Sequence, residues 1–410
     1  MTDSEIVVIG GGIAGASAAW HLTMHGRRVA LLERGEVASA ASGQNMGGID
    51  SYGLGHAPDL QGHLTAGSSQ IFDTVQNDLD QDIEFRRSGG LQAIRTAEEH
   101  EFERARVETY RKRGQVAELL SARDVRGIEP GFSRDMLGAL YAPLRGQADP
   151  VRATQAFARL AERGGARVLT NHAVTAITAR ADGYTVRTSR GDVVAGALVI
   201  AAGAWCARIG AMLDLDIPIV PVRGQMWATA PLPPRSFHTI SAAESALAWH
   251  RDRGGAPPDL THRDGRRVTR HLYGRQRRNG EIVFGGDREL LPPFEGGGAA
   301  TYDAASSPAP EPKGVEVNRD HAISVLPFLA EHPIARTWAG FMPFPADGKP
   351  IIGRISGRAN LWIVTGLASS GFGRGPMAGK LIADYLHTGT PAPVLSEADP
   401  AGRVRERARG

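Results

Sequence analysis

The sequence predicts an α/β chain: a doubly wound, Rossmann-like nucleotide-binding domain joined to a second, α+β domain built on an antiparallel sheet. Three observations predict it. Ile6-Val7-Val8-Ile9 is a short, mostly β-branched run that stops at Gly10-Gly11-Gly12 and passes at once into small helix-forming residues. Two further buried-strand runs end at glycine far downstream, Ala197-Leu198-Val199-Ile200 before Gly203 and Leu361-Trp362-Ile363-Val364 before the glycine-rich stretch from Thr365 to Gly375. Between them lie segments of different character, charged and partly helical over 85–148, Pro-rich with strands such as Glu281–Phe284 over 220–325.

In chain order, the first strand is Ile6–Ile9, and a helix runs from Ile13 to about His25, stopped by Gly26. Val29–Leu32 is the next strand and ends at Glu33-Arg34. A second helix follows Pro150 and ends at Gly164-Gly165, ahead of a strand at Arg167-Val168-Leu169. Ala173–Ile177 and Tyr184–Thr188 alternate like antiparallel strands. The last helix is expected from Pro376 to Leu386, with proline in its first turn. The polar stretches Arg251–Arg267 and Gly296–Gly314 read as loops, and the tail after Pro393 as weakly ordered. This order implies a nucleotide domain assembled from 1–84, 149–219 and 326–392. A substrate domain formed by 85–148 and 220–325 is inserted in it, and 393–410 is a tail.

Composition narrows the function. The chain has 410 residues and a formal net charge of only +3, which does not ask for nucleic acid. The basic run Arg263, Arg266, Arg267, Arg270, Arg275, Arg277, Arg278 has Tyr273 as its sole interleaved aromatic and reads as a solvated hairpin face. Cys206 is the only cysteine, so no intramolecular disulfide can form, which fits a cytoplasmic protein. The N-terminal apolar run is too short for a signal peptide, and no stretch is long and apolar enough to span a bilayer, though peripheral membrane contact stays open. The histidines lack metal-ligand spacing, so no metal site is expected, and there is no Gly-x-Ser-x-Gly serine elbow.

Each residue of the opening turn has a mechanical reason. Gly10 permits the tight turn, Gly12 lets a phosphate approach the backbone, and Gly15 lets the helix pack close on the strand. Ile13 and Ala14 begin the helix whose N-terminus faces an anion. Glu33, about 20 residues on, is placed to accept hydrogen bonds from a ribose. Arg34 is placed to stack on adenine. The pattern indicates a dinucleotide and fits NAD or FAD equally.

An ordered series of motifs separates the two. Ala38–Gly48 is a small-residue loop after the second strand, Gly146-Gln147-Ala148-Asp149-Pro150 precedes a helix, and Ala201-Ala202-Gly203-Ala204-Trp205 ends a strand. Val220-Pro221-Val222-Arg223-Gly224-Gln225 follows. Trp338-Ala339-Gly340-Phe341 and Asp347–Gly353 then lead into Gly366 and Gly371-Phe372-Gly373. Over nearly its whole length the chain resembles the FAD-dependent amino-acid oxidase superfamily, the glycine oxidase, sarcosine oxidase and D-amino-acid dehydrogenase group. The resemblance implies a glutathione-reductase-2-type fold and non-covalent FAD. It implies that Ser42, Gly43, Gln44, Asn45, Met46 and Gly47 wrap the pyrophosphate and ribityl chain, and that Val174 meets adenine through its backbone. Ala202, Gly203, Trp205, Gly340 and Gly366 would line the cofactor. Ser370, Gly371, Phe372 and Gly373 would lie beside the flavin, with a helix N-terminus aimed at its pyrimidine end. Cys206 reads as a buried hydrophobe rather than a covalent attachment point.

The family removes a hydride from a carbon bearing an amine, and water then hydrolyses the imine. FAD does the chemistry, and O2 or an external acceptor takes the electrons. The substrate end departs from the best-known relatives. Where glycine-oxidase-like members place a carboxylate-gripping arginine, this chain has Met342. Ser369 or Gly373 stands where some relatives have a second basic residue, and Leu367 and Ser370 replace loop histidines. Arg374, Arg275 and Arg223 are the candidates to rebuild the clamp. Tyr273 is either a pocket aromatic or a sheet-packing residue, and His56 either lines the pocket or is a solvated loop histidine. The candidate substrate residues are therefore Tyr273, Met342, His56 and Arg275. The function expected is oxidation of the C–N bond of a small amino acid or secondary or cyclic amine, of sarcosine, glycine, D-amino-acid or proline type. The alternatives are a flavin-bearing subunit of a multi-subunit amine dehydrogenase and an amine oxidase of the tRNA-modification type.

Overall fold

The computed structural model describes residues 6–50, 59–251, 262–263, 266–289 and 309–407. The strands Ile6–Ile9 and Val29–Leu32 and the helix Ile13–Met24 form where the sequence predicts them. They start a six-stranded sheet ordered 351–354, 361–365, 197–200, 6–9, 29–32, 167–169. Its strands are parallel except Ile351–Arg354, which runs antiparallel to Leu361–Thr365. Chain segments more than 350 residues apart thus share one sheet.

The central strands 6–9, 29–32, 197–200 and 361–365 are apolar on both faces because both faces are covered. Ile6, Val8, Val29, Leu31, Val199, Trp362 and Val364 pack on the helices Ile13–Met24, Pro150–Arg163 and Gly371–Thr388. The alternate residues Val7, Ile9, Ala30, Leu32, Leu198 and Ile200 pack on Ile177, Tyr184 and Val186 of a three-stranded antiparallel sheet, Val174–Arg180, Gly183–Thr188 and Gly191–Ala195. The helix Pro150–Arg163 begins as expected, with Pro150 in its first turn and Asp149 accepting a hydrogen bond from Arg152 N at 2.8 Å.

The second sheet is ordered 334–345, 219–229, 282–289, 266–276, 239–242, 90–94, 138–142, 118–121. All its pairings are antiparallel except Thr239–Ala242 with Gly90–Ile94. One face is apolar: Leu91, Trp227, Ile240, Leu272 and Phe284 pack on Val315, Ala322 and Val325 of the helix Pro312–Val325. Trp227 Nε1 donates to Asn318 Oδ1 at 2.9 Å, so the indole pays no desolvation penalty. The period of two turns Gln92, Met226, Ser241, His271 and Tyr273 to the opposite face, which borders a large cavity.

Four expectations need correction. Strand Ile334–Pro345 lies within the 326–392 segment assigned to the nucleotide domain. It instead pairs with Ile219–Thr229 in the second sheet, so the chain rejoins the first sheet at Ile351. The last helix starts at Gly371, with Pro376 inside it. Of the glycines that read as loop, Gly375 faces the helix Ile13–Met24, where a Cβ would sit 2.5 Å from the Ile13 side chain, and Gly373 faces Gly48 and Ile49. The tail is packed: Leu395 and Ala398 are buried, Arg403 donates to Pro350 O at 2.7 Å and Lys349 O at 2.6 Å, and Arg405–Glu406 pairs with Leu215–Asp216. Part of the Arg251–Arg267 stretch is strand, at His262–Arg263 and from Arg266. The rest of that stretch, and most of Gly296–Gly314, lie outside the described residues.

The helices Ile13–Met24 and Gly371–Thr388 meet backbone to backbone. A Cβ on Gly379 would sit 2.5 Å from Ala14 O and 2.7 Å from Ala18 N, and one on Gly375 would sit 2.5 Å from the Ile13 side chain. Gly379→Val is expected to destabilise the protein by about 1–3 kcal/mol through overpacking, read as a lower Tm in scanning calorimetry. An unchanged Tm would show that the helices are not held this close.

Candidate active site

One cavity of about 1600 Å³ runs from the opening glycine turn to the polar face of the second sheet. That exceeds the roughly 300–1,000 Å³ of a pocket for a single small ligand. It leaves room for a dinucleotide and a small substrate together.

At the turn, Gly10 has φ +118°, and a Cβ there would sit 2.5 Å from Ala201 O. A Cβ on Gly15 would sit 2.0 Å from Gly10 O. Both glycines are required by packing alone, and Gly15 stands behind the cavity wall. Gly12 differs, because its φ of −79° suits any residue and a Cβ would meet only Ser42 Oγ, at 3.0 Å. With Ile13 and Ala14 it borders the cavity. Neither helix N-terminus at the cavity is capped by its own N-cap residue, Gly12 or Ser370. Ser42 Oγ instead accepts from Ile13 N at 2.9 Å.

Glu33 lines the cavity, and its carboxylate also holds the turn. Oε2 accepts from Gly11 N at 2.7 Å and Oε1 from Gly35 N at 2.9 Å. Each oxygen keeps a second lone pair for a ribose hydroxyl. Arg34, expected to stack on adenine, already has an aromatic partner: its guanidinium lies 3.8 Å above the Trp205 ring. Val174, Ala202, Gly203 and Trp205 complete this end of the wall.

The loop Ser42–Gly47 divides into wall and support. Ser42, Gln44, Asn45 and Met46 border the cavity. Gly43 and Gly47 lie behind it, where a Cβ would sit 2.1 Å from Ala38 O and 1.9 Å from Ala148 O respectively. Asn45 Oδ1 accepts from Gly47 N at 2.7 Å. Arg275, expected to touch substrate, is a correction. It is 1% exposed and absent from the cavity wall. Its Nε donates to Met46 O, Nη1 to Gln147 Oε1 at 2.7 Å and Nη2 to Ala148 O at 2.8 Å. Burial pulls its pKa down to about 9, and its role is to clamp the loop to the segment before Asp149.

Among its described neighbours Arg277 departs from the solvated-hairpin reading, while Arg278 is exposed and fits it. Arg277 is largely buried beside Glu281, and Arg278 pairs with Asp82. The side chains of Arg263, Arg266, Arg267 and Arg270 lie outside the described residues. So does His56.

At the other end, Gly340, Gly366, Ser370, Gly371, Phe372 and Gly373 border the cavity, as do Met342 and Tyr273. Tyr273 packs with Met46, Met226 and Trp338. A Cβ on Gly340 would meet Gln44 Oε1 at 2.5 Å, so the strand is held against the loop. Of the three arginines considered for a rebuilt clamp, Arg374 alone borders the cavity; Arg223 does not, and its Nη1 donates to Ala309 O at 3.3 Å. The sequence reading missed Asp50, Gln92, Arg106, Arg145, Ser241 and His271, all in the wall. Asp50 directly follows the small-residue loop and Arg145 directly precedes Gly146-Gln147, so both adjoin motifs that were legible.

Cys206 is buried behind the wall, and burial pushes its thiol up to about 12. Among the described residues no cluster of His, Cys, Asp and Glu could hold a metal ion, and no helix is long and apolar enough to cross a membrane.

A nucleotide turn joined through one cavity to an antiparallel sheet defines a dinucleotide-dependent enzyme fold. Residues 5–385 match the family described as DAO, FAD dependent oxidoreductase, and the chain belongs to it. It is 27% identical over 97% of its length to mouse mitochondrial dimethylglycine dehydrogenase (Mus musculus) but spans only 44% of that protein. It is 26% identical to glycine oxidase from Bacillus licheniformis, over 93% of this chain and 92% of that one. It is 25% identical to sarcosine oxidase subunit beta from an Arthrobacter species, over 93% and 86%. Among solved structures, L-proline dehydrogenase from P. horikoshii superposes with a TM-score of 0.80 at 26% identity, covering 97% of this chain and 96% of that one.

The residues present fit FAD. Two helix N-termini face the cavity, Gly12 borders it with only the Ser42 side chain near its missing Cβ, and Gly203 has open space above it. Gly12→Val is expected to fold with near-normal Tm and lose flavin, read as the ratio of flavin to protein absorbance. Wild-type flavin content in this variant would show that the turn does not cradle the pyrophosphate.

Proposed function

We propose that this protein oxidises the C–N bond of a small amino acid or secondary or cyclic amine, with FAD bound non-covalently. One observation carries the reading: the glycine turn and the sheet face bearing Met342 and Tyr273 open into the same cavity. Bound FAD supplies the two-electron acceptance that such an oxidation needs. The chain supplies binding, orientation and exclusion of water. Met226, Phe341, Met342 and Tyr273 give the chamber an apolar lining. An ammonium entering it loses hydration, which favours the neutral amine that can surrender a hydride. The first turn of the helix Gly371–Thr388 favours negative charge at its end of the cavity by roughly 0.3–2 kcal/mol. The seclusion of Cys206 supports non-covalent binding, and a single buried thiol supports a cytoplasmic location.

A second reading, a flavin-bearing subunit that needs partners, rests on the likeness to sarcosine oxidase subunit beta. The tRNA-modification reading draws on the basic run, of which Arg275 and Arg277 are turned inward and Arg278 is exposed.

Purified protein should be yellow, and acid precipitation should release the flavin to the supernatant; colour kept in the pellet would refute non-covalent binding. Mixed anaerobically with glycine, sarcosine, N,N-dimethylglycine, proline or D-amino acids, the lone chain should bleach with at least one. Recovery of colour in air identifies O2 as an acceptor. A yellow protein that bleaches with none of these amines alone favours the subunit reading, and a colourless one that takes up no FAD sinks both.

A further inference from the structure

The family's arginine position is occupied by Met342, at one edge of the second sheet, yet cationic side chains gather at the other end of the same face. Arg145 follows strand Gly138–Ala142, six strands away from Ile334–Pro345 in the sheet order. Its side chain is 8% exposed and its Nη1 donates to Ser241 Oγ at 3.2 Å. Arg374 reaches the same end of the cavity from the first turn of the helix Gly371–Thr388, with Nε donating to Thr65 Oγ1 at 3.3 Å.

Asp50 ties them together. It forms an ion pair with Arg145 Nη2, and its charge acts on Arg374. The other charges nearby are matched behind the wall. Arg106 pairs with the buried Glu103 at 2.8 Å, and Glu103 also attracts Arg145. Asp59, which also acts on Arg374, caps Gly62 N at 2.6 Å and faces Arg113. Glu33, Arg34 and Arg208 belong to the far end of the cavity, by the glycine turn; at this end, among the described residues, the wall carries Arg106, Arg145 and Arg374 with the carboxylate of Asp50.

Asp50 is the accessible member of this pair: its side chain is 52% exposed while that of Arg145 is nearly sealed. A buried guanidinium needs an anion, and an exposed aspartate is the cheapest one for a ligand to replace.

We propose that Arg145 and Arg374 are the specificity-determining pair for a ligand carboxylate, and that Asp50 stands in for that carboxylate until the ligand binds. This rests on the amine-oxidising reading and adds where the acid group of the substrate sits: on the Arg145 side of the sheet, away from Met342. The amine carbon is then oriented from the opposite end to the one an arginine at 342 would impose. Asp50 sets a threshold, because a ligand gains the guanidiniums only by displacing it.

The test uses the flavin-loaded full chain and two unreactive acids, acetate and pyrrole-2-carboxylate, each beside its neutral amide. Binding is read by calorimetry and by perturbation of the flavin spectrum, and flavin content is measured for every variant. The acids should bind and the amides should bind at least tenfold more weakly. Asp50→Asn should tighten the acids three- to tenfold and leave the amides unchanged. Arg374→Met and Arg145→Met should each weaken the acids at least tenfold with flavin retained; Arg145→Lys should recover part of the loss. Should Arg145→Met fail to fold, the Asp50 and Arg374 variants decide. Equal binding of acids and amides, weaker acid binding in Asp50→Asn, or unchanged binding in Arg374→Met overturns the proposal. Failure of the broader reading looks different: a chain without flavin, or one that no amine bleaches.

Discussion

The close approach of backbones around the opening turn is the constraint on which the rest of the molecule depends. Gly15 lies against Gly10, Gly10 against Ala201, and Gly379 against Ala14 and Ala18. In none of these places is there room for a methyl group. The result is that two helices from opposite ends of the chain present their N-termini to one cavity. The partial positive charges of these helix ends then favour anionic ligands at that place.

The second sheet meets this frame through one loop. Residues 42–47 follow the second strand of the first sheet and are held against the second by Arg275, each of whose three nitrogens donates to a backbone or amide oxygen. A buried guanidinium held by three hydrogen bonds is costly to disturb, because losing a partner leaves a buried charged donor unsatisfied. Trp338 Nε1 donates to Gln44 O at 3.0 Å and fastens the same loop from strand Ile334–Pro345. The chamber is shaped by these attachments as much as by its own lining.

Much of this was legible in the chain. The β-branched run before Gly10, the small residues after it and the position of Glu33 follow local rules, since strand, turn and helix each need particular residues at short range. The strands at Val174–Arg180 and Gly183–Thr188 showed their alternation directly. Less was legible where a residue's role depends on a distant partner. Arg275 had the chemistry of a substrate clamp and was found inside the protein. The glycines at 371–375 read as loop because glycine is a poor helix former, and for Gly375 it is the helix packed against it that explains why glycine is there. The tail looked polar because Leu395 and Ala398 are scattered among charged neighbours, yet these two residues are what anchor it.

The sequence by itself determined the first sheet's central strands, the glycine turn and the class of cofactor, because each is written in contiguous residues obeying short-range sterics. It also determined that position 342 carries no charge. The tertiary structure decided which arginines face the chamber, since burial and orientation arise only when strands far apart in the chain lie side by side. It therefore separated Arg275, sealed behind the loop, from Arg145 and Arg374, which border the cavity with Asp50 between them in charge if not in sequence.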